Sequence, residues 1–296
     1  MDYAIGIDLG GSSVKTVAVT AEGTALAKTN VSFDAAERMD WAVKIRGIAE
    51  QIQTERGTCA SCIGLSAPGL AATNGRSIAS MPGRLQGLEG LDWTEFLHTN
   101  RPVPVLNDAH AALLGEAWIG AAKGFQNVFM LTLGTGVGGA AIVDGKLLRG
   151  HIGRAGHIGH ICLNPNALPD VTGMPGSLED AIGNCTIAQR TQGRFKTTHE
   201  LVTAYLAGDA DAAAIWLKSV HELACGIASM INVLDPEAVI IGGGIARSGP
   251  SLFGSLDRFV EAVEWKPGGH RAKILPAQLG EFAGAFGCAA HALGTS

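Results

Sequence analysis

Three observations predict an α/β chain of two related, tightly associated domains with a cleft between them. The length of 296 residues exceeds the ~100–200 residues usual for one domain. The order strand, glycine turn, strand, tight turn, strand occurs at AIGIDLGGSSVKTVAVTAEGTAL and again at VFMLTLGTGVGGAAIVDGKLL. Helix-spaced apolar stretches follow these blocks, and no low-complexity linker separates the halves.

The elements follow in order. Tyr3–Ile7 is an apolar strand, Gly10-Gly11 breaks it, and Ser13–Val19 resumes a β-rich pattern before the turn at Glu22-Gly23. A helix is expected over Ala35–Arg56, where Met39, Val43, Ile45, Ile48, Ala49 and Ile52 recur near helix spacing. Cys62–Ala67 is a short strand ended by Pro68-Gly69, residues 72–104 are loop-rich, and Val103–Leu106 is another strand. Asn107-Asp108 then opens a helix over Ala109–Ala121. The second block reads as strand Val128–Leu133, glycine loop Gly134–Gly139, strand Ala140–Val143 and hairpin turn Asp144-Gly145. Residues 151–180 form an irregular loop containing His151, His157 and His160. A long helix over Asp211–Leu234, the strand Ala238–Ile241 and a small-residue helix over Phe282–Leu293 complete the chain. The first domain is set at 1–108, the second at 109–280, and the helix at 281–296 is expected to pack back onto the first.

Composition narrows the classes. A hydrophobic share of 47% is ample for two cores and argues against disorder. The formal charge of −5 provides no basic footprint for nucleic acid or anionic lipid. Six cysteines do not make a disulfide framework at this length, and the chain opens directly on a strand, so a reducing, cytoplasmic setting is expected. Cys59-Ala-Ser-Cys62 is a C-x-x-C, but it enters a strand rather than a helix and has no second pair, so ordinary thiols are expected. Residues 124–143 carry no formal charge over a length that could span a bilayer, yet five glycines interrupt them. Two buried strands joined by a glycine loop are expected there.

Three glycine turns each follow an apolar strand: Gly10-Gly11, Gly134–Gly139 and Gly242–Gly244. Exposed N–H groups in such turns form anion-binding concavities. Any one alone reads equally as a tight hairpin, because the chain has 41 glycines. Gly134, Gly136 and Gly139 satisfy G-x-G-x-x-G, but a dinucleotide site needs a helix next and an acidic residue ~20 positions on. The chain continues instead as AAIVDGKLL, and that reading is rejected; no P-loop motif occurs either. Asp8, at a strand end beside a glycine turn, is placed to hold hydrated Mg²⁺ or simply to initiate the turn. Asp108 is either the N-cap of the following helix or a general base for a substrate hydroxyl, two roles that are compatible. Asn107 offers a donor and an acceptor beside it.

The motifs DLGGSSVK (Asp8–Lys15), APG (Ala67–Gly69), NDAHAALLGE (Asn107–Glu116), LGTGVGG (Leu133–Gly139) and DPEAVIIGGG (Asp235–Gly244) occur in this order. The set resembles the ROK family (repressors, open reading frames, kinases) over nearly the whole chain. The resemblance implies the two-domain actin-like ATPase fold, related to ribonuclease H, with ATP and Mg²⁺ in the interdomain cleft and a hexose phosphorylated at its 6-hydroxyl. By that resemblance Asp8, Gly10, Gly11, Ser12 and Lys15 would serve the phosphates, with Asp8 reaching Mg²⁺ through water. Gly134, Thr135, Gly136 and Gly138 would form the second phosphate loop, and Gly242, Gly243 and Gly244 would lie near the adenosine. Asp108 would be the base, and Gly69, Ser80, Asn107, His157, His160 and Glu179 would meet the sugar. Family members are commonly dimers, so a homodimer is an expectation. The repressor branch carries an added N-terminal DNA-binding domain; with the first phosphate motif starting at Asp8, a DNA-binding role is not expected.

Two departures bear on chemistry. Where family kinases carry G-E-x-G-H and then C-x-C-G-x-x-G-C-x-E, this chain reads GHIGH (Gly156–His160) and DVTGMPGSLE (Asp170–Glu179). Asp170, Thr172 and Ser177 stand at the cysteine positions, and one imidazole with oxygen ligands is a poor zinc site, so no structural zinc is expected. His157 and His160 read as hydrogen-bonding groups rather than as a metal pair. His157 also replaces the sugar-binding Glu, and Ser80 stands where Asn often does, so the ranking of hexoses should shift. A rival reading is a catalytically weak sugar- and nucleotide-binding regulator, motivated by His157 and opposed by the intact Asn107-Asp108.

Overall fold

The computed structural model describes residues 2–34, 36–81, 83 and 85–295. The chain divides into one unit comprising residues up to 124, 149–155 and 278 onward, and a second comprising 125–148 and 156–277.

The first unit opens with β1 (Ala4–Leu9), β2 (Ser13–Val19), β3 (Ala25–Ser32) and α1 (Asp40–Arg56). It continues through β4 (Cys62–Ala67), β5 (Leu70–Ala71), β6 (Ile78–Ser80), α2 (Trp93–Phe96), β7 (Val105–Asn107) and α3 (Asp108–Ile119). The main sheet has the order β3-β2-β1-β4-β7, antiparallel through its first three strands and parallel from β1 through β4 to β7. The period-2 alternation of strand side chains decides its two faces. Ile5, Ile7 and Leu9 pack with Trp41, Ile45 and Trp93, so the amphipathic α1 covers that side. Helix α1 begins at Asp40; Ala35, where the sequence sets its start, lies outside the described residues.

The second unit is built from β8 (Val128–Leu133), β9 (Val137–Val143), β10 (Lys146–Leu147), α4 (Leu178–Ile182), α5 (Ile187–Arg190) and α6 (Thr198–Leu206). Then come α7 (Ala210–Leu234), β11 (Ala238–Gly242), α8 (Pro250–Val263) and β12 (Lys273–Pro276). Its sheet order, β10-β9-β8-β11-β12, repeats the connectivity of the first. The uncharged stretch at 124–143 is thus the antiparallel pair β8–β9, buried on this sheet. Helix α7 is long and apolar enough to cross a membrane by length and composition. Its Trp216, Val220, Leu223 and Ile227 are instead buried with Phe129 and Leu131 of β8 and Leu256 of α8, as a core helix requires.

Residues 278 onward return to the first unit, ending in α9 (Ala283–Leu293). Ala285, Phe286 and Ala289 close the other face of the first sheet over Ala4, Val17 and Val19. The sequence places the domain boundary after residue 108 and so assigns α3 to the second domain; here α3 lies in the first unit, packed on α9. Small residues make this packing close. A Cβ on Gly287 would stand 1.7 Å from the Ala111 carbonyl oxygen, so only glycine admits the approach.

Glu116, in the last turns of α3, is fully buried, and no ion pair is formed by it among the described residues. Its Oε2 accepts from Ala121 N at 2.7 Å, and its Oε1 accepts from Gln278 N at 2.9 Å and Leu279 N at 2.8 Å. The carboxylate therefore ties the segment leaving this unit to the segment returning to it. Glu116→Ala strands three N–H groups, and we expect a loss of about 3 kcal/mol or more, read from urea midpoints. Glu116→Gln, which keeps one carbonyl oxygen, is expected to lose less.

Candidate active site

In the first unit the predicted residues gather where parallel strands end. Asp8 on β1 lies in register with Ser66 on β4, and Ala67 lies in register with Asn107 on β7. The carboxyl ends of adjacent parallel strands are where open α/β sheets present ligand-binding groups. Ser66 Oγ donates to Asp8 Oδ1 at 2.7 Å. Burial pushes the Asp8 carboxyl up to about 6, with the negative charge of Asp108 adding to the shift and Ser66 and Lys15 opposing it. Lys15 sits across the β1–β2 pair from Asp8. Gly10 N donates to Ser13 O at 2.9 Å and closes the turn, leaving Gly11 and Ser12 exposed at its tip.

The cap of α3 is Asn107, not Asp108. Asn107 Oδ1 accepts from Ala109 N at 3.0 Å and His110 N at 3.3 Å, and Nδ2 donates to Gly69 O at 2.9 Å. This spends the amide carbonyl on the helix. Asn107 is buried, and its amide also hydrogen-bonds the Asp108 carboxyl, so both its donor and its acceptor, read from sequence as open to a ligand, are used within the protein. The bond to Gly69 holds the β5–β6 hairpin, on which exposed Ser80 pairs with Leu70, beside the same strand ends. Asp108 is released from capping, although its Oδ1 accepts from Ala109 N at 2.8 Å. The residue is exposed at the surface. Desolvation raises its pKa against the hydrogen bonds from Ala109 and Asn107, and the exposure limits the size of the effect.

In the second unit the loop after β8 is held from behind. Gly134 N donates to Gly136 O at 2.9 Å, Asn184 N to Gly134 O at 3.0 Å and Cys185 N to Thr135 O at 2.8 Å. Glu179 Oε2 accepts from Val137 N at 2.9 Å, so a predicted sugar residue is tied to the predicted phosphate loop. A Cβ on Gly136 would meet that oxygen at 2.1 Å, which accounts for glycine there. Gly138 continues the loop into β9, and Gly242, at the end of β11, is in register with Thr132. Gly243 lies against Leu133, and Gly244 leads into a single 3₁₀ turn. These turns therefore share the carboxyl ends of β8 and β11.

His157 precedes the 3₁₀ turn Ile158–His160. His160 Nδ1 lies 2.7 Å from Asp170 Oδ2. Burial would raise the Asp170 carboxyl, but hydrogen bonds from His160, Thr172 and Ser177 outweigh it and hold the group well below the usual carboxylate range. Among the described residues no group of three or more His, Cys, Asp or Glu side chains is arranged to hold a metal ion. Sequence reasoning missed the work of Ser66, which carries no signal inside a plain apolar strand. It also missed the bond from Asp170 to His160, for which the D-x-T-G turn is the only local hint.

Comparison with known proteins bears on this geometry. The ROK family model matches residues 4–294. A glucokinase of Thermotoga maritima is 32% identical over 85% of this chain and 85% of its own. The ROK hexokinase structure from Thermus thermophilus superposes with a TM-score of 0.87 at 29% identity, covering 99% of this chain and 98% of the other. A ROK family glucokinase from Streptomyces griseus, solved with glucose and AMPPNP, gives 0.79 at 26% identity and covers 99% of both chains. The repeated sheet is accordingly that of the actin-like ATPase fold, and the ordered motifs, the family match and the fold agree that the chain belongs to the ROK family.

Proposed function

We propose that this chain transfers the γ-phosphoryl group of ATP to a hexose or hexose derivative, at the 6-hydroxyl of a glucose-type sugar. The observation that carries the reading is the adjacency of two carboxylates, Asp8 and Asp108, at the ends of parallel strands in a ROK chain. Asp108, raised in pKa and not engaged as the cap, accepts the proton of the attacking hydroxyl and aligns its oxygen. The amides of the Gly10–Ser12 turn and of the Gly134–Gly136 loop receive phosphate oxygens, with Lys15 adding charge and Gly242–Gly244 receiving the nucleoside end. Gly69, Ser80, His157, His160 and Glu179 orient the sugar, and Asn107 contributes by holding the Asp108 carboxyl.

Asp8 fits a divalent cation. It is a largely enclosed carboxylate whose raised pKa reflects burial and a like charge without a full counter-ion. Mg²⁺, when bound there through water, supplies charge neutralisation of the phosphates. No structural zinc is proposed, because His160 Nδ1 is engaged by Asp170 and the other two substituted positions are Thr172 and Ser177. Metal analysis finding about one zinc per chain would refute that. The use of ATP, with the six cysteines all free, supports a cytoplasmic location.

The test is ADP release over a panel of hexoses, amino sugars and N-acetyl sugars. Sugar-dependent turnover on at least one member is expected. Saturable sugar binding without turnover across the panel would favour a regulator of the same fold instead.

A further inference from the structure

Asp170 lies in the loop between His160 and α4. Its carboxylate has no exposed surface, whereas the His160 side chain keeps 26% of its own. The two oxygens divide their work. Oδ1 accepts from Thr172 N at 2.7 Å, Thr172 Oγ1 at 2.7 Å and Met174 N at 3.1 Å, which folds residues 170–174 into a closed turn. Oδ2 meets the imidazole, at 2.7 Å from Nδ1, and Ser177 adds a further hydrogen bond to the carboxylate. An ionised carboxylate can only accept, so the hydrogen of that bond belongs to Nδ1.

We infer that Asp170 is a positioning residue for sugar recognition: the turn fixes its carboxylate, the carboxylate fixes the His160 ring with Nδ1 as donor, and Nε2 is thereby presented as the acceptor for a sugar hydroxyl. The inference rests on the reading of His160 as a sugar contact. A neutral imidazole has one donor and one acceptor, and which nitrogen is which follows from the bond the other one makes. A rotating ring would offer a hydroxyl either role; a ring held by Asp170 offers one. Selectivity among sugars with differently placed hydroxyls then depends on a residue that touches none of them. Asp170 acts on His160 as an outer-shell carboxylate acts on a ligating imidazole, where its loss weakens binding by about 10–100-fold.

The test compares Asp170→Asn, His160→Ala and the double variant, with ring-nitrogen NMR of His160 in the wild-type protein at mildly alkaline pH. Asp170→Asn should raise the sugar KM by about 10–100-fold and leave the ATP KM unchanged. The double variant should be no worse than His160→Ala alone, because both act through one imidazole. The wild-type spectrum should show a single tautomer with hydrogen on Nδ1, lost in Asp170→Asn. A wild-type ring protonated on Nε2, or mixed, overturns the inference without any kinetic measurement, even if Asp170→Asn does not fold. If His160→Ala raises the sugar KM and Asp170→Asn does not, the positioning role is wrong while the sugar contact stands. If His160→Ala leaves the sugar KM untouched although the Nδ1 tautomer is present, the sugar contact itself is wrong and recognition through Asp170 falls with it.

Discussion

Asp108→Asn lowers kcat by about 10²–10⁴-fold, the range expected when a positioned general base is lost, while the sugar Kd changes little. The substitution keeps size and hydrogen-bonding shape, and it leaves α3 intact because Asn107, not Asp108, caps the helix. A folding defect is therefore a poor explanation for lost turnover. Equal falls in kcat and kcat/KM would mark an interaction made only in the transition state. The pH profile gives a second check. Asp108 must be ionised to accept a proton, and desolvation raises its pKa from the ordinary 3.8, so kcat/KM should fall on the acid side through a value above 3.8. In the residual activity of Asp108→Asn its contribution should be gone, leaving only the acid limb of Asp8, whose carboxyl is raised to about 6. Near-wild-type turnover in the variant would remove Asp108 from the role of base.

Much of this was legible in the chain because the signals are local. Strand–glycine turn–strand is written twice in neighbouring residues, and each copy folds into the meander β1–β3 or β8–β10 at the expected place. Asp8, Gly10 and the Gly134–Gly138 loop lie at strand ends because apolar runs stop there. What escaped depends on residues far apart in sequence. The boundary misplaced at residue 108 turns on α3 meeting α9, a contact made by alanine and glycine, which leave no amphipathic stripe to read. The cap assignment between Asn107 and Asp108 depends on backbone angles that both residue types satisfy. The partner of Glu179, Val137 N, lies 42 residues away and is a backbone group, invisible to any side-chain pattern. Local chemistry is written in the sequence; pairing between distant backbones is not.

Asp8→Asn should abolish most activity and at the same time stabilise the free protein. On the activity side, the carboxylate that would hold Mg²⁺ by the phosphates is gone, and lost neutralisation of several kcal/mol corresponds to about 10²–10⁴-fold in kcat. On the stability side, the folded-state pKa of Asp8 is raised from 3.8 to about 6, so between those values the folded chain holds a proton that the unfolded chain has released. The stability associated with protonated Asp8 is fully present below 3.8 and is lost as pH rises through about 6. Above that the folded protein carries an enclosed carboxylate beside Asp108, at a penalty of about 1–3 kcal/mol once residual solvent screening is allowed for. Asn is isosteric, still accepts the Ser66 hydroxyl and carries no charge, so it removes the penalty. In chelator-treated protein the variant should melt a few degrees higher than wild type at pH well above 6, and the difference should shrink towards zero near 3.8. A wild-type protein equally stable or more stable at neutral pH would show that the Asp8 carboxylate is not held under strain. Conversely, added Mg²⁺ should raise the melting temperature of wild type and leave Asp8→Asn unmoved, because the charge that resists folding is the one that would receive the cation.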